Sequence, residues 1–345
     1  AQVASLSSPG RIRWRAACFC SMLGGCCRLL GAAAVLPLAI LIAAILETPV
    51  VLTLDGDEHA APKTSAAVAP EPGAKYTSDA TEPAKDTQSA RMGSGSMFDR
   101  IAFAYDYTNK FMSLGLDQRW RRVMVQECLR LEQGDRALDL ATGTADVSIL
   151  VGEDLRRLGG SVLGLDPSSE MLRRGVAKVE SSSLDGVVRL VKGDAQDLSS
   201  MRRIDAAGAL SEPLPGLADG SIDKISMSFG IRNVPDRGKA LREMRRVLQK
   251  ASSSRVCILE FSMPSGESVL SAIARFFVVH VIPVIGRLAT MGSGGDEYAY
   301  LERSILRFPL PRDFAREMGD AGLSVQTITS FAYGAVNLYA ARPAL

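Results

Sequence analysis

The sequence predicts an α/β domain with a mainly parallel β-sheet, hung behind an apolar amino-terminal helix and a disordered tether. Three observations carry this expectation. From Arg136 onward, short apolar strands alternate with amphipathic helical stretches, the pattern of a parallel sheet covered on both faces. Residues 29–46 form an uncharged apolar run. Residues 55–96 are rich in Ala, Pro, Ser, Thr and Glu and hold no Trp, Phe or Ile, so they bury too little apolar surface to offset their ordering entropy. The expected organisation is a targeting or membrane-anchor segment at 1–54, a flexible linker at 55–96 and one globular domain at 97–345.

The chain of 345 residues is 47% hydrophobic and 23% charged, which excludes a wholly disordered, collagen-like or many-pass membrane protein. The averages blend unlike segments. Residues 1–46 hold four Arg and no acid, whereas 97–345 hold 32 bases and 30 acids. That near-balance argues against a nucleic-acid groove, which needs concentrated positive charge.

The run LLGAAAVLPLAILIAAIL has 18 residues, the lower limit for crossing a hydrocarbon core of roughly 30 Å as a helix. TPVVLTL after Glu47 would lengthen it. Arg11, Arg13, Arg15 and Arg28 in an acid-free leader resemble an organelle presequence. A membrane anchor is the leading reading. A cleaved signal peptide, suggested by Pro37 and the short run, and a buried helix are the alternatives. Four of the six cysteines lie in this leader; Cys26 and Cys27 are acylation candidates or plain small residues beside the run. Cys128 and Cys257 are all that remain, so no disulfide framework is expected, and no metal site accompanies the leader cysteines.

Within the domain, RALDLA reads as the first strand, GTAD as a Gly-bearing turn and VSILVGEDLRRL as a helix with apolar residues at helical spacing. SVLGLD is the second strand, and PSSEMLRRGVAKV a helix opened by Pro167 and Ser168 with Glu170 in its first turn. VVRLVKGD, IDKISMSFG and SRVCILEF repeat the strand theme, with REMRRVL as the helix between the last two. Ligands of such sheets bind beyond the carboxyl ends of the strands. The turn DLATGTAD lets a ligand approach the backbone and offers helix N–H groups, but it is not GxGxxG, which disfavours a dinucleotide. Asp166, 27 residues after Asp139, ends the second strand, where an acid accepts both ribose hydroxyls of an adenosine ligand; its plain reading is a helix cap. Asp194 ends the third strand within reach of an adenine amino group. Turn, acid and acid in that order form the layout of an S-adenosylmethionine site.

MFDRIAFAYDYTNKFMSLGLDQRWRR, LDLATGTAD, GLDPSSEML, GDAQDL, SFGIRNVPDRGKALREMRRVL, LEFSMP, HVIPVIG and YAYLERSILRFP, in that order, resemble the ubiquinone/menaquinone biosynthesis C-methyltransferases over about residues 97–342. The resemblance implies a Rossmann-like class I methyltransferase fold, with a seven-stranded sheet whose last strand is antiparallel; VQTITSF and AVNLYAAR are its closing pair. It implies S-adenosylmethionine as cofactor, held by Asp139, Ala141, Thr142, Gly143, Asp166, Asp194, Ala195 and Ser228. It implies methylation of a polyprenylated benzoquinol or naphthoquinol resident in a membrane. The expected location is the matrix side of the mitochondrial inner membrane, with a plastid membrane as alternative. The expected protein partner is a second copy of the chain or a quinone-biosynthesis complex.

Methyl transfer to a ring carbon requires in-line attack from roughly 3 Å. The carbon becomes nucleophilic when an adjacent hydroxyl loses its proton, and a phenol titrates near a pKa of about 10. Arg232 would place positive charge near that oxygen or fix a water that takes its proton, and Asn233 would orient the oxygen. The plain reading of Arg232 is a salt bridge on a helix-entry loop. His280 is a candidate contact of the quinol pocket or a core histidine, and Tyr298 a ring-contacting hydroxyl or plain packing. His59 lies in the linker and is incidental. Residues 268–289 line a groove for the prenyl tail, touch the bilayer surface or form an ordinary core helix.

Three departures from the family stand out. Ala145 replaces the last Gly of the turn, at little cost if its φ is negative and with strain otherwise. Residues 199–213 look like an inserted surface loop. Tyr339 stands where the family commonly has His. The rival functions are methylation of another lipid or phenol, and a non-catalytic methyltransferase-derived subunit of a membrane complex.

Overall fold

The computed structural model describes residues 49–54, 113, 115–205, 207–264, 269–276 and 303–344. The apolar run and the linker lie outside them. Among the described residues no helix is long and apolar enough to cross a membrane.

The chain runs β1 (Val50–Thr53), α1 (Asp117–Val123) continuing as a π-helix (Met124–Leu129), β2 (Arg136–Leu140), α2 (Asp146–Leu158), β3 (Ser161–Asp166), α3 (Ser169–Ser181), β4 (Val188–Asp194), β5 (Asp197–Ile204), β6 (Leu210–Pro215), β7 (Lys224–Ser228), a 3-10 turn (Ile231–Asn233), α4 (Arg237–Val247), β8 (Arg255–Phe261), α5 (Val269–Phe276), α6 (Pro311–Asp320), β9 (Leu323–Phe331) and β10 (Val336–Pro343). The strands form one sheet in the order β1-β9-β10-β8-β7-β2-β3-β4-β5-β6. β2 is flanked by parallel β3 and β7, and β10 is antiparallel to both β8 and β9.

The expected seven strands are therefore present as β9-β10-β8-β7-β2-β3-β4, but the sheet has ten. Two readings are corrected by the extra strands. Residues 199–213 are not a loop: β5 and β6 form an antiparallel hairpin with Ser200 opposite Pro215 and Ile204 opposite Leu210. Its turn is closed by Asp205, whose carboxylate accepts the Ala209 N–H at 2.8 Å. VVLT does not extend an apolar helix; as β1 it pairs antiparallel with β9, Val50 opposite Ser330. β-branched residues suit an edge strand, and a run of four residues is too short to carry a helical period.

Local signals explain the helices that position the site. α2 buries Val147, Val151 and Leu155, one turn apart, and ends at Gly159 with φ +70°. Ser168 caps α3 by accepting the Met171 N–H at 3.2 Å, and Asp236 caps α4 by accepting the Lys239 N–H at 2.8 Å. Right-handed crossovers running outward in opposite directions from β2 and β7 place α2 and α3 on one face and α4 on the other. The core on the second face joins Leu138, Ile225, Ile258, Leu241, Met244, Phe314 and Tyr339.

A further correction concerns the cysteines. Cys128 of the π-helical segment and Cys257 of β8 form a disulfide, with Cα atoms 6.1 Å apart across a separation of 129 residues. It was illegible because spacing alone does not bring two distant positions together. Closing a loop of that size stabilises a fold by about 5 kcal/mol in the chain-entropy account.

Candidate active site

The strand order reverses direction between β2 and β7, so their carboxyl ends open the crevice where such sheets take ligands. Asp139 is the joint of that crevice. It is 1% exposed. Its Oδ2 accepts hydrogen bonds from Thr142 Oγ1 at 2.7 Å and Ser148 Oγ at 2.9 Å, and its Oδ1 accepts one from Ser226 Oγ of β7 at 2.8 Å. Burial pushes its pKa up, and the three hydroxyls offset only part of the effect. The carboxylate thus reaches the site through the turn that it braces.

That turn is tightly wound. Ala141, Gly143 and Ala145 have φ of +52°, +56° and +69°. An ideal Cβ on Gly143 would meet nothing within 4 Å, so the backbone faces open space there, as close ligand approach requires. Ala145 takes the strained branch of the two expected outcomes, because a non-glycine residue in the left-handed region costs about 1–2 kcal/mol. Asp166 ties the turn to the next loop: its Oδ2 accepts the Gly143 N–H at 2.9 Å and its Oδ1 the Ser168 N–H at 2.8 Å. The helix cap is Ser168, not Asp166.

At the opening of α2, Asp146 binds Arg121 at 2.7 Å and Lys178 at 3.0 Å. Burial would raise its pKa, but the two cations outweigh burial and hold the carboxyl below its ordinary value. Asp194 and Ala195 follow β4. Asp194 is exposed and accepts the Gln196 backbone N–H at 2.8 Å, while Gln196 Oε1 accepts the Asp236 N–H at 2.9 Å. The end of β4 is thereby fixed against the cap of α4, and Ala195 is buried beside it.

The ends of β7 and β8 are different in kind. Ser228 Oγ is buried with no hydrogen-bond partner. Phe229 follows with φ +57° and stacks on Phe261 with centroids 4.6 Å apart. Arg232 lies over the Phe261 ring, donates from Nη1 to the Phe229 carbonyl at 2.7 Å, and pairs through Nη1 with Glu260 Oε1 at 2.6 Å. Asn233 ends the 3-10 turn one residue on. The salt bridge foreseen as the plain reading of Arg232 is thus present, and it stands at the crevice.

A sequence model of the ubiE/COQ5 methyltransferase family matches residues 84–342. The chain belongs to the ubiE/COQ5 methyltransferase family. It is 37% identical over 226 residues to the ubiquinone/menaquinone biosynthesis C-methyltransferase UbiE of Geotalea uraniireducens, covering 66% of this chain and 86% of that protein. It is 35% identical to the demethylmenaquinone methyltransferase of Thermus thermophilus over 244 residues, 70% of this chain and 98% of that protein.

As a ubiE/COQ5 methyltransferase the chain takes S-adenosylmethionine as cofactor, and its residues fit that group. Gly143 opens on space, Asp166 and Asp194 stand at adjoining strand ends, and the orphaned Ser228 Oγ offers a buried polar contact. Tyr339 is fully buried, edge-on to Phe314 at 4.9 Å, with a hydroxyl lacking a partner. His280 and Tyr298 lie outside the described residues. Sequence reasoning missed the role of Glu260, Arg121 and Lys178. For Glu260 a signal existed, an acid following the apolar run VCIL in the strand RVCILEF; for the two cations it did not, because their partners lie 25 and 32 residues away.

Proposed function

We propose that this methyltransferase places a methyl group on a ring carbon of a polyprenylated benzoquinol or naphthoquinol. S-adenosylmethionine, when bound, supplies the methyl group on a sulfonium. Asp166 would receive the ribose hydroxyls with its carboxylate held in one orientation by two backbone N–H groups. Asp194 and Ala195 would meet the adenine, and Asp139 would keep the turn of Ala141, Thr142 and Gly143 in shape. Arg232 and Asn233 would direct the ring oxygen, with His280 and Tyr298 as further ring contacts.

The observation that carries the reading is the buried Arg232–Glu260 pair at the ends of β7 and β8, with the Arg232 guanidinium over the Phe261 ring. A few buried polar groups set among aromatic side chains suit an aromatic ring with polar substituents. Exposed apolar residues support a substrate that lives in lipid. Val269, Ile273 and Phe276 form one stripe on α5, at 76%, 57% and 60% exposure. With the acid-free leader and its apolar run, they favour work at a membrane surface, which we place on the matrix side of the mitochondrial inner membrane.

The test supplies methyl-labelled S-adenosylmethionine together with demethylated benzoquinols and naphthoquinols. Label on the ring of either is expected. Label on neither, from a folded enzyme shown by calorimetry to bind the cofactor, sinks the quinol reading; absence of cofactor binding favours a non-catalytic subunit.

A further inference from the structure

The charge balance around Arg232 points to a role for its partner. Glu260 is 0% exposed and the Arg232 side chain 6%. Glu260 Oε1 accepts from Arg232 Nη1 at 2.6 Å and from the Phe261 N–H at 2.8 Å, and its Oε2 accepts the Arg232 N–H at 3.2 Å. A carboxylate engaged by three donors is held in one orientation, with both oxygens already committed. A guanidinium in contact with a buried carboxylate projects little net charge, since the two fields cancel at distances beyond the pair itself. Arg232 Nε, meanwhile, is buried without a partner among the described residues. A buried donor without an acceptor calls for a partner, which a bound group can supply.

We propose that Glu260 is a positioning residue, and that Arg232 and Glu260 act on the ring oxygen as one hydrogen-bonding unit of no net charge. Arg232 donates through Nε, while Glu260 fixes the guanidinium and cancels its charge. The unit directs the ring oxygen without acting as a bare cation, so the ionisation of the ring hydroxyl stays near its solution value. This rests on the quinol reading above.

The groups around the pair come from several elements. Tyr339 faces it from β10; burial, and then the charge of Glu260, push its hydroxyl pKa up, so it stays neutral. Asn337, opposite Glu260 in β10, is engaged by Ser330 at 2.6 Å and the Gly334 carbonyl at 3.1 Å. From α1, Arg121 lies over the Phe229 ring and is paired with Asp117 and Asp146. From α5, Arg275 donates to the Pro264 carbonyl at 3.1 Å.

The experiment follows the ionisation of a nitrophenol lacking a prenyl tail, read by its phenolate absorbance, bound to the full chain with S-adenosylhomocysteine. The pH profile of kcat is measured beside it. Glu260→Gln leaves Arg232 uncompensated and is expected to lower the probe's midpoint by about one unit or more. The double variant Arg232→Gln with Glu260→Gln exchanges an ion pair for two amides. It is expected to keep the midpoint within well under one unit of wild type, while kcat falls about 10²-fold. A rise of about one unit or more in the double variant means that Arg232 works as a net cation and overturns the proposal. So does a Glu260→Gln variant with unaltered midpoint and kcat. Should Glu260→Gln fail to fold, the double variant decides alone. A wild-type chain that binds cofactor but neither the probe nor any quinol removes the quinol reading, and the proposal with it.

Discussion

At the ends of β2, β3 and β4 the carboxylates are already engaged: Asp139 by three hydroxyls, Asp166 by two backbone N–H groups, Asp194 by Gln196 and Asp146 by two cations. At the ends of β7 and β8, by contrast, Arg232 Nε and Ser262 Oγ are buried without partners among the described residues. On the function proposed above, the contrast separates two tasks. A cofactor that is bound identically in every turnover is served by a shell that loses no freedom on binding. A reacting ring, whose oxygen gathers charge only on the way to the transition state, is served by donors that no protein group has claimed.

The largest effect expected from breaking this contrast is at the unfinished end. Arg232→Ala should lower kcat by about 10² to 10³, the size of losing one donor to a developing oxyanion, while the cofactor Kd measured by calorimetry stays within about threefold. Full turnover would refute its role and leave the fold untouched. The next is at the finished end. Asp166→Ala removes the acceptor shared by Gly143 and Ser168, and cofactor binding should weaken roughly 10- to 100-fold, the worth of charge-assisted hydrogen bonds. The quinol KM should barely move. An unchanged Kd would show that the first region is scaffold rather than cofactor shell.

Asp146 sharpens the comparison through pH. Its folded pKa lies below the ordinary 3.8, because Arg121 and Lys178 outweigh its burial. A depressed carboxyl contributes stability that is present above the unfolded value and lost as pH falls through the folded one. Wild type should therefore exceed Asp146→Asn by about 1–2 kcal/mol in thermal or urea unfolding at pH 7, with the gap closing below about pH 4. A gap that persists at pH 2 would mean the contribution is not ionic.

The finished end was the more legible of the two, for a physical reason. Its acids, Asp139, Asp166 and Asp194, sit at strand ends in chain order, and their loops are short, so each role follows from local pattern. Glu260 reads in the sequence only as part of a strand end, because its partner Arg232 lies on another strand end 28 residues away and only parallel pairing of β7 and β8 joins them. The same limit hid the disulfide. The hairpin of β5 and β6 failed differently: Arg202, Arg203 and Asp205 made SSMRRID read as a polar loop, although Met201 and Ile204 are buried. β1 failed because three apolar residues and a threonine fit either a helix extension or an edge strand, and only pairing with β9 decides.

The smallest effect tests whether the strain in the turn belongs to the finished shell or to its chemistry. Ala145 caps α2 with φ +69°, its side chain wholly buried. Glycine there would relieve about 1–2 kcal/mol of left-handed strain, and the added freedom of the unfolded chain would take back about 0.4–1 kcal/mol. The difference leaves Ala145→Gly more stable by roughly 0.5–1 kcal/mol, a rise of a few degrees in Tm for a domain of this size. Because the Ala145 N–H already bonds the Thr142 carbonyl at 2.9 Å, and its own carbonyl receives Ile149 at 2.8 Å, the turn keeps its shape and the cofactor Kd should hold. If Tm rises and Kd holds, the methyl group is strain without function. A tighter Kd would mean that it crowds the ligand, and a lower Tm that its contacts in the core outweigh the backbone cost.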